Sequence, residues 1–184
     1  MNIIVKPYGN AVCHCRPDTT WERESRDFYS PECVDEIWWT PVLFARISKA
    51  GKCVGRRFVR RYYDGIGCGM LMYCRAMDND YISCVDHTSV LPMPLYDPVI
   101  LEEEKVFETM RSGKSHSAIL SHERAGNMLE ESICRASELI SLRTGDFVAV
   151  ELASPEFVAS RKEGEVAVKG TFCENVTFDF NIIF

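Results

Sequence analysis

The stretch GRRFVRRYYDGIGCGMLMYCRAM, residues 55–77, carries the clearest local signals in the chain. Its first part, Gly55 to Asp64, predicts a short helix because apolar side chains recur four residues apart beside four arginines. Gly65 would end this helix. Ile66 to Cys74 is apolar and glycine-spaced, which is typical of a buried strand that another backbone approaches closely. The inward face of the helix would consist of Val54, Phe58 and Tyr62, and its outward face of Arg56, Arg57, Arg60 and Arg61.

Strand-like runs outnumber helical ones on both sides of this stretch. The expected strands are residues 2–5, 38–47, 147–152 and 176–182, with 99–101 and 105–110 as a hairpin. Pro41 should lie at an edge or a bulge, because proline cannot donate to a sheet ladder. The main helix is expected within residues 115–142, and its apolar face would consist of Leu129, Ile133, Ala136 and Ile140. These elements predict a fold of the α+β class, strand-rich, with a largely antiparallel or mixed sheet.

The composition bounds the class of protein. The 184 residues, 46% hydrophobic and 26% charged, are typical of a single globular domain covering residues 1–184. A formal charge of −6 argues against nucleic-acid binding, because the phosphate backbone is bound by a surplus of Lys and Arg. The chain has no run of about 18 apolar residues, which argues against a membrane span, and its first residues do not resemble an export signal. We therefore expect a cytoplasmic protein.

Nine cysteines are many for a chain of this length. Their odd number, a chain too long to need a disulfide framework and the lack of an export signal predict reduced thiols. We expect most of them to fill the core. They are Cys13, Cys15, Cys33, Cys53, Cys68, Cys74, Cys84, Cys134 and Cys173.

Four local groupings could carry chemistry, and each also has a structural explanation. The Cys-His-Cys sequence at 13–15 offers soft metal ligands but lacks a second ligand pair. The arginines within 56–61 could hold an anion or form a solvated helix face, and the acidic balance of the chain favours the second. Glu102–Glu104 predicts a polar surface, because three consecutive strand residues cannot point to one face. Cys84 with His87 could form a nucleophile and its base, although nothing in the local sequence singles out that pair.

From Arg-Pro-Asp-Thr at 16–19 to the last strand, the chain resembles the fumarylacetoacetate hydrolase family, specifically its small single-domain bacterial members. Residues 55–77 resemble the family's helix ending in Tyr-Tyr-Asp and its strand Gly-x-Gly-x-Asp-x-x-x-Arg-Asp. The other similar segments, in the family's order, lie at 28–31, 45–52, 142–146 and 178–182. The resemblance implies a mixed β-sandwich roll with peripheral helices, usually as a homodimer. It also implies an enzyme that holds Mg²⁺ or Mn²⁺ on three carboxylates and cleaves, isomerises or decarboxylates diketo or 2-oxo acids.

The sequence departs from the family at the metal ligands. The resemblance places the three carboxylate positions on Thr40, Val42 and Leu71. Val and Leu cannot coordinate a metal, and one neutral Thr hydroxyl would not hold Mg²⁺. A shift of one or two residues restores no ligand, because residues 37–46 and 66–75 contain no Asp or Glu. We therefore expect former metal-site positions with no metal and no other cofactor.

Other parts of the family's site also differ. The position of the family's catalytic Lys falls near Ser83 in this sequence. The family's N-terminal segment, which supplies a His and a Glu, has no room before Arg16, so we expect a shortened N-terminus. Arg16, in place of a Lys, and Arg75, which matches an Arg of the family, could still bind a small carboxylate in bidentate fashion. Arg75 could equally form a structural salt bridge.

These observations favour a non-catalytic relative of the family, a scaffold or small-anion binder whose metal pocket has become apolar. One alternative is an active hydrolase, isomerase or decarboxylase with an altered site, either metal-dependent or built on a cysteine such as Cys74 or Cys84. Another is a partner-binding subunit that dimerises with an active relative.

Overall fold

Two β-sheets and one α-helix form the fold in the computed structural model, which describes residues 1–10, 12–76 and 79–184. Met77, at the end of the stretch quoted first, lies outside these ranges. The larger sheet contains β1 (Ile3–Lys6), β2 (His14–Arg16), β3 (Trp21–Glu22), β5 (Glu36–Ile47), β6 (Tyr63–Ala76), β7 (Asn79–Ile82), β8 (Ser89–Val90), β11 (Phe147–Glu151) and β12 (Glu156–Ser160). The smaller sheet contains β4 (Phe28–Tyr29), β9 (Lys105–Arg111), β10 (Lys114–Leu120), β13 (Glu165–Phe172) and β14 (Asn175–Ile183).

The strand order makes both sheets mixed. The larger sheet runs β2-β1-β11-β5-β6-β8-β3, with β12 on β5 and β7 on β6, and the smaller one runs β10-β9-β13-β14-β4. Most neighbours are antiparallel, but β1 pairs with β11, β3 with β8 and β14 with β4 in parallel. The predicted strand-rich α+β class is therefore confirmed.

Helical segments are short and lie outside the sheets. The only α-helix in the described residues is α1, Asn127–Leu139, which continues from a π-helical turn at His122–Gly126. The 3₁₀ helices are Asp18–Thr20, Arg56–Arg61 and Pro98–Glu102. No helix in the described part of the chain is long and apolar enough to cross a membrane.

The long antiparallel pair of β5 and β6 lies at the centre of the larger sheet. Its ladder runs from Glu36 opposite Arg75 to Ile47 opposite Tyr63, with an irregularity between Arg46 and Ile47. The predicted close backbone approach occurs at Gly69, where a Cβ would lie 2.2 Å from the carbonyl oxygen of Val90 on β8. Glycine is required where the two backbones approach this closely.

Pro41 lies in the middle of β5, but its missing N–H group does not interrupt the pairing with a partner strand. On that side of β5, β12 pairs with residues 36–39 and β11 with residues 42–46. Pro41 falls between these two partner strands, and its carbonyl oxygen accepts a hydrogen bond from the Leu152 amide at 2.9 Å. The expected edge or bulge is thus replaced by a junction between two partner strands.

The two faces of β5 pack into different cores, because successive strand residues point to opposite faces. Ile37, Trp39 and Leu43 belong to the large core that also includes side chains of α1 and the smaller sheet. Val42 and Phe44 face the other way into a smaller apolar cluster. Thr40, Val42 and Leu71, the positions that the resemblance assigns to metal ligands, lie on this second face.

Several local predictions were wrong. Residues 115–120 belong to strand β10, because that segment pairs residue by residue with β9 from Lys114 to Leu120. Residues 99–101 form part of a 3₁₀ helix, whose first amide is capped by Asp97. Phe58 is exposed and Val59 is buried, since a 3₁₀ helix repeats every three residues and aligns Val59 with Tyr62.

The cysteines also depart from expectation. All nine are free, but only Cys68 and Cys74 are buried. Cys13, Cys134 and Cys173 are partly buried and pack against the core, whereas Cys15, Cys33, Cys53 and Cys84 are exposed. The core-filling prediction is therefore wrong for the four exposed thiols.

Candidate functional site

The three positions that the resemblance assigns to metal ligands lie together on one face of β5 and β6. Thr40 stands directly opposite Leu71, and Val42 stands opposite Gly69 in the same ladder. All three side chains have a relative exposure of 0%. The sequence comparison thus identified neighbours in space, and the structure encloses them completely.

Apolar side chains surround Val42 and Leu71. We call this group the Val42–Leu71 cluster, and its buried members are Ile3, Val5, Val42, Phe44, Leu71, Tyr73, Leu91, Phe147 and Ala149. The ring of Phe147 packs edge-on against Phe44 at 5.6 Å and against Trp21 at 5.2 Å between centroids. These contacts fill the space with hydrocarbon, which favours neutral groups over ions.

Thr40 is the one polar residue of the three, and its hydroxyl is already engaged. Its Oγ1 donates a hydrogen bond of 2.6 Å to the carbonyl oxygen of Ala153. Within the described residues, no group of three or more His, Cys, Asp or Glu side chains is arranged to hold a metal ion. Mg²⁺ and Mn²⁺ are bound by oxygen atoms, several of them from carboxylates. Thr40, Val42 and Leu71 supply no such set of ligands.

A carboxylate that the sequence reasoning missed, Glu151, lies on the same face. It stands opposite Val42 in the pairing of β11 with β5 and is 2% exposed. Its carboxylate accepts hydrogen bonds from the Tyr8 amide at 2.8 Å and from the Tyr73 hydroxyl. The sequence signal for this residue was its position directly after the apolar run Phe147–Val150, which indicates a buried strand. A carboxylate buried there needs hydrogen-bond partners, so its position pointed to a polar contact inside the protein.

Burial and the neighbouring negative charge act together on Tyr73. They raise the pKa of its hydroxyl well above the ordinary value, with burial as the larger cause and Glu151 as the second. The hydroxyl therefore stays protonated and remains a donor to Glu151 at physiological pH.

Arg16 lies inside the protein, with 1% exposure. One terminal nitrogen donates to the carbonyl oxygen of Thr88 at 3.0 Å and to Ser89 Oγ at 2.8 Å, and the other donates to the carbonyl oxygen of Met72. The guanidinium carbon lies 4.9 Å from the centre of the Tyr73 ring. Burial lowers the pKa of Arg16, while the nearby Tyr73, Cys74, Glu151 and Cys84 oppose that shift.

Arg75 has a different environment at the open end of β6. Its side chain is exposed, and its guanidinium lies 3.5 Å from Glu36 across the ladder. An open cavity of about 580 Å³ beside it also receives Arg161 and Lys162. Arg75 therefore forms a salt bridge, one of its two predicted roles, and also lines an accessible cavity that has Asp35 and Glu36 beside its three cationic side chains.

The arginines at 56–61 contact α1. Arg60 Nε lies 3.0 Å from the buried carboxylate of Glu130, and an Arg56 nitrogen lies 3.5 Å from it. Burial alone would raise the pKa of Glu130, but hydrogen bonds from His122, Tyr63 and Arg60 and the charge of Arg56 lower it overall. Both arginines are exposed, as a solvated face predicts, and they also connect their 3₁₀ helix to α1 through Glu130.

Within the described residues, none of the remaining candidate groupings has the contacts that its chemistry would need. His87 Nδ1 lies 3.1 Å from Glu22 Oε2, and no contact between His87 and Cys84 occurs in the described residues. The Cys-His-Cys sequence at 13–15 lies on and before the edge strand β2, and among the described residues it is not part of a group that could hold a metal ion. Glu102–Glu104 is exposed, at the end of a 3₁₀ helix and just after it.

Solved structures with the same fold match nearly the whole chain. A protein from Yersinia pestis assigned to the fumarylacetoacetate hydrolase family matches 99% of this chain over 92% of its own, with a TM-score of 0.78 and 12% identity. Fumarylpyruvate hydrolase from Pseudomonas aeruginosa, solved with Mn²⁺ and pyruvate, matches 100% of this chain over 90% of its own, with a TM-score of 0.79 and 14% identity. The chain has the fold of the fumarylacetoacetate hydrolase family.

Proteins with the fumarylacetoacetate hydrolase fold differ in their reactions. 5-Carboxymethyl-2-hydroxymuconate delta-isomerase from Mycobacterium smegmatis matches 99% of this chain over 78% of its own, with a TM-score of 0.76 and 13% identity. No sequence-family profile matches the chain, and no curated protein matches it significantly. Since the fold is shared by hydrolases and an isomerase, the activity of this chain has to be argued from its own residues.

Of the five site residues inferred from the sequence, this fumarylacetoacetate hydrolase fold brings four into contact with one cluster. Thr40, Val42 and Leu71 share one sheet face, and Arg16 packs on Tyr73 of the same cluster. Arg75 lies apart, with Glu36 at the open end of β6.

Proposed function

We propose that this chain is a non-catalytic member of the fumarylacetoacetate hydrolase fold, a cytoplasmic scaffold or small-anion binder that uses no metal. The complete burial of Val42 and Leu71 in an apolar cluster carries the proposal. A divalent cation there would lose its hydration shell without gaining hard oxygen ligands. In an enzyme with a bound metal ion, the ion would stabilise the negative charge of a developing enolate. These positions offer no site for such an ion.

The two polar groups beside these positions do not fit a metal either. Thr40 Oγ1 donates to a carbonyl oxygen, and Glu151 accepts from Tyr8 and Tyr73. One carboxylate and one neutral hydroxyl fall short of the set of hard oxygen ligands that Mg²⁺ and Mn²⁺ require. This small number of ligands supports a working protein without either ion.

The small-anion role fits Arg75 better than Arg16. The exposed guanidinium of Arg75 shares its cavity with Arg161 and Lys162. Glu36 and Asp35 pair with the two arginines, so one positive charge remains in excess for an anion. Arg16 uses its terminal nitrogens on Met72, Thr88 and Ser89. We therefore propose that Arg16 stabilises the sheet and that Arg75 binds a carboxylate. We also propose that the protein works as a homodimer.

Metal binding and turnover test this function together. Calorimetric titration with Mg²⁺ and with Mn²⁺ at neutral pH should give no heat of binding, and neither ion should raise the melting temperature. Assays with acylpyruvates and oxaloacetate should show no turnover, with the Pseudomonas aeruginosa fumarylpyruvate hydrolase as the positive control.

Two results would establish an enzyme instead. Turnover that a chelator abolishes would identify a metal-dependent site, and turnover that a thiol-blocking reagent abolishes would identify a cysteine-based one. Light scattering of the purified chain measures the homodimer separately, and a strict monomer would contradict that part of the proposal.

A further inference from the structure

A second cavity lies where β6 of the larger sheet, the segment that follows β8 and the start of β14 in the smaller sheet meet. Its volume is about 340 Å³. The walls are formed by Gly67 and Cys68 of β6, by residues 92–96 and by residues 175–177. None of these residues lines the cavity at Arg75, so the two cavities are separate.

The walls of this cavity carry no charge. Among the residues that the structure describes, none that lines it is acidic or basic, and the apolar ones are Pro92, Met93, Pro94, Leu95 and Val176. Burial raises the pKa of the Cys68 thiol and of the Tyr96 hydroxyl, so both stay uncharged at neutral pH. A charged ligand would lose its hydration here without gaining a counter-charge, and the cavity therefore favours an uncharged molecule.

Thr177 brings a polar group without a partner to the cavity wall. Its Oγ1 is buried and forms no hydrogen bond with any residue that the structure describes. Thr177 is the extra residue of the bulge between β13 and β14, since its neighbours Val176 and Phe178 both have partners on β13. The bulge turns the hydroxyl inward beside the ring of Phe178, where a Cβ on Gly170 would lie only 2.8 Å from Oγ1. A buried hydroxyl in this situation costs free energy.

The other side chains of the wall that carry oxygen or nitrogen already have partners. The Tyr96 hydroxyl donates to the carbonyl oxygen of Phe172 at 3.4 Å, and Asn175 Nδ2 donates to the carbonyl oxygen of Cys173 at 2.9 Å. Thr177 is therefore the group that a bound molecule would satisfy. One rotamer step about its Cα–Cβ bond exchanges Oγ1 with another substituent of Cβ and can present the hydroxyl to the cavity.

We propose that this cavity binds a small uncharged molecule with a compact apolar body and one hydroxyl group. The body packs against Met93 and Leu95, and the hydroxyl bonds to Thr177 Oγ1 after that rotamer step. A hydroxyl group fits because it both donates and accepts, as the Thr177 hydroxyl does. Binding gives a hydrogen bond to a group that has none in the free chain. This site does not depend on whether the protein is catalytic.

Cyclohexanol and two charged analogues with the same ring test the proposal on the full chain. Each is titrated in an NMR experiment against protein with isotope-labelled methionine methyl groups, because Met93 lines the cavity and the exposed Met110 of β9 does not. Cyclohexanol should shift the Met93 signal to saturation and leave the Met110 signal unchanged. Cyclohexylamine, a cation at neutral pH, and cyclohexanecarboxylate, an anion, should give no saturable shift.

Thr177→Val keeps the shape of the side chain and removes the hydroxyl. It should weaken cyclohexanol binding about three- to tenfold, which corresponds to one neutral hydrogen bond. Thr144→Val is the matched control, because Thr144 is exposed in the turn before β11 and does not line the cavity. This control should bind cyclohexanol as the unsubstituted chain does. Without ligand, Thr177→Val should melt no lower than the unsubstituted chain, since the hydroxyl that it removes is unpaired.

Four results would overturn the proposal. They are a Met93 signal that does not saturate with cyclohexanol, equal binding of a charged analogue, equal affinity of Thr177→Val and Thr144→Val, and a lower melting temperature of Thr177→Val without ligand. The last result would show that the hydroxyl already has a partner, such as a fixed water molecule. If Thr177→Val fails to fold, that counts as the same result, and the three ring compounds on the unsubstituted chain still measure the binding.

Discussion

Introducing a carboxylate at Val42 tests whether the former metal-site face is dry and apolar. Val42 is completely buried among the side chains of the Val42–Leu71 cluster. In the variant Val42→Glu the new carboxyl would lie among apolar side chains and opposite Glu151, so burial and this neighbouring carboxylate should raise its pKa by up to about 3–5 units in the folded state. In the unfolded chain its pKa would be about 4.3.

The sign of the pH effect follows from these two pKa values. The folded variant holds its proton more tightly than the unfolded one, so stability falls as the pH rises from the unfolded pKa towards the folded pKa. The slope is about 1.4 kcal/mol per pH unit, which gives a loss of about 2.7 kcal/mol between pH 5 and pH 7. Val42→Gln places a similar polar group there without titrating, and it should lack this loss.

Urea denaturation of both variants at pH 5 and pH 7 measures the difference directly, because all other titrating groups cancel between them. The exposed control Val176→Glu, at a position that is 54% accessible, should change the free energy of unfolding by only about 0.5 kcal/mol or less. A pH-independent difference between Val42→Glu and Val42→Gln would mean that water reaches this face. It would refute the argument that apolar packing has closed the site.

Three further results are expected from other parts of the structure. Tyr73→Phe removes a donor from buried Glu151 and should cost about 1–3 kcal/mol of stability in urea denaturation, whereas a cost near zero would contradict that hydrogen bond. Glu130→Gln should reduce the stability of the folded chain at neutral pH, and this cost should disappear as the pH falls. The reason is that the lowered pKa of Glu130 stabilises the folded chain above the unfolded pKa, and this contribution is lost below the folded pKa. Equal costs at pH 3 and pH 7 would refute the role of the contact between Glu130 and Arg60. Burial raises the pKa of Cys74 to about 12, so iodoacetamide at pH 8 should leave it unmodified in mass spectra of the native chain, and rapid labelling would contradict its burial. The thiols expected to react first are Cys15, Cys33, Cys53 and Cys84.

Strands with a strong local pattern could be predicted from the sequence. The glycine-spaced run of β6 and the alternating residues of β14 were located correctly, because their patterns reflect the packing of each strand itself. Residues 115–120 could not be assigned in this way. Their strand conformation comes from pairing with β9, and nothing within the segment distinguishes it from the start of the following helix.

The candidate site was predictable only in part. The resemblance placed Thr40, Val42 and Leu71 side by side, and the ladder of β5 and β6 agrees with that placement. The burial of Arg16 was not predictable, because its hydrogen-bond acceptors Met72 and Ser89 are 56 and 73 residues away along the chain. Long-range contacts of this kind decide whether an arginine is free for a ligand.

Charge balance explains how the face that holds Glu151 can be stable without a metal ion. A carboxylate in an apolar interior is costly unless hydrogen bonds and an opposite charge accompany it. Glu151 has the Tyr8 amide and the Tyr73 hydroxyl as donors, and the Arg16 guanidinium lies over the ring of that same tyrosine. The positive charge of Arg16 would repel a divalent cation added here. The carboxylate of Glu151, the one acidic group described on this face, already accepts two hydrogen bonds. Removing Arg16 should therefore destabilise the fold through Glu151, and it would not create a metal site, because Val42 and Leu71 still supply no ligand.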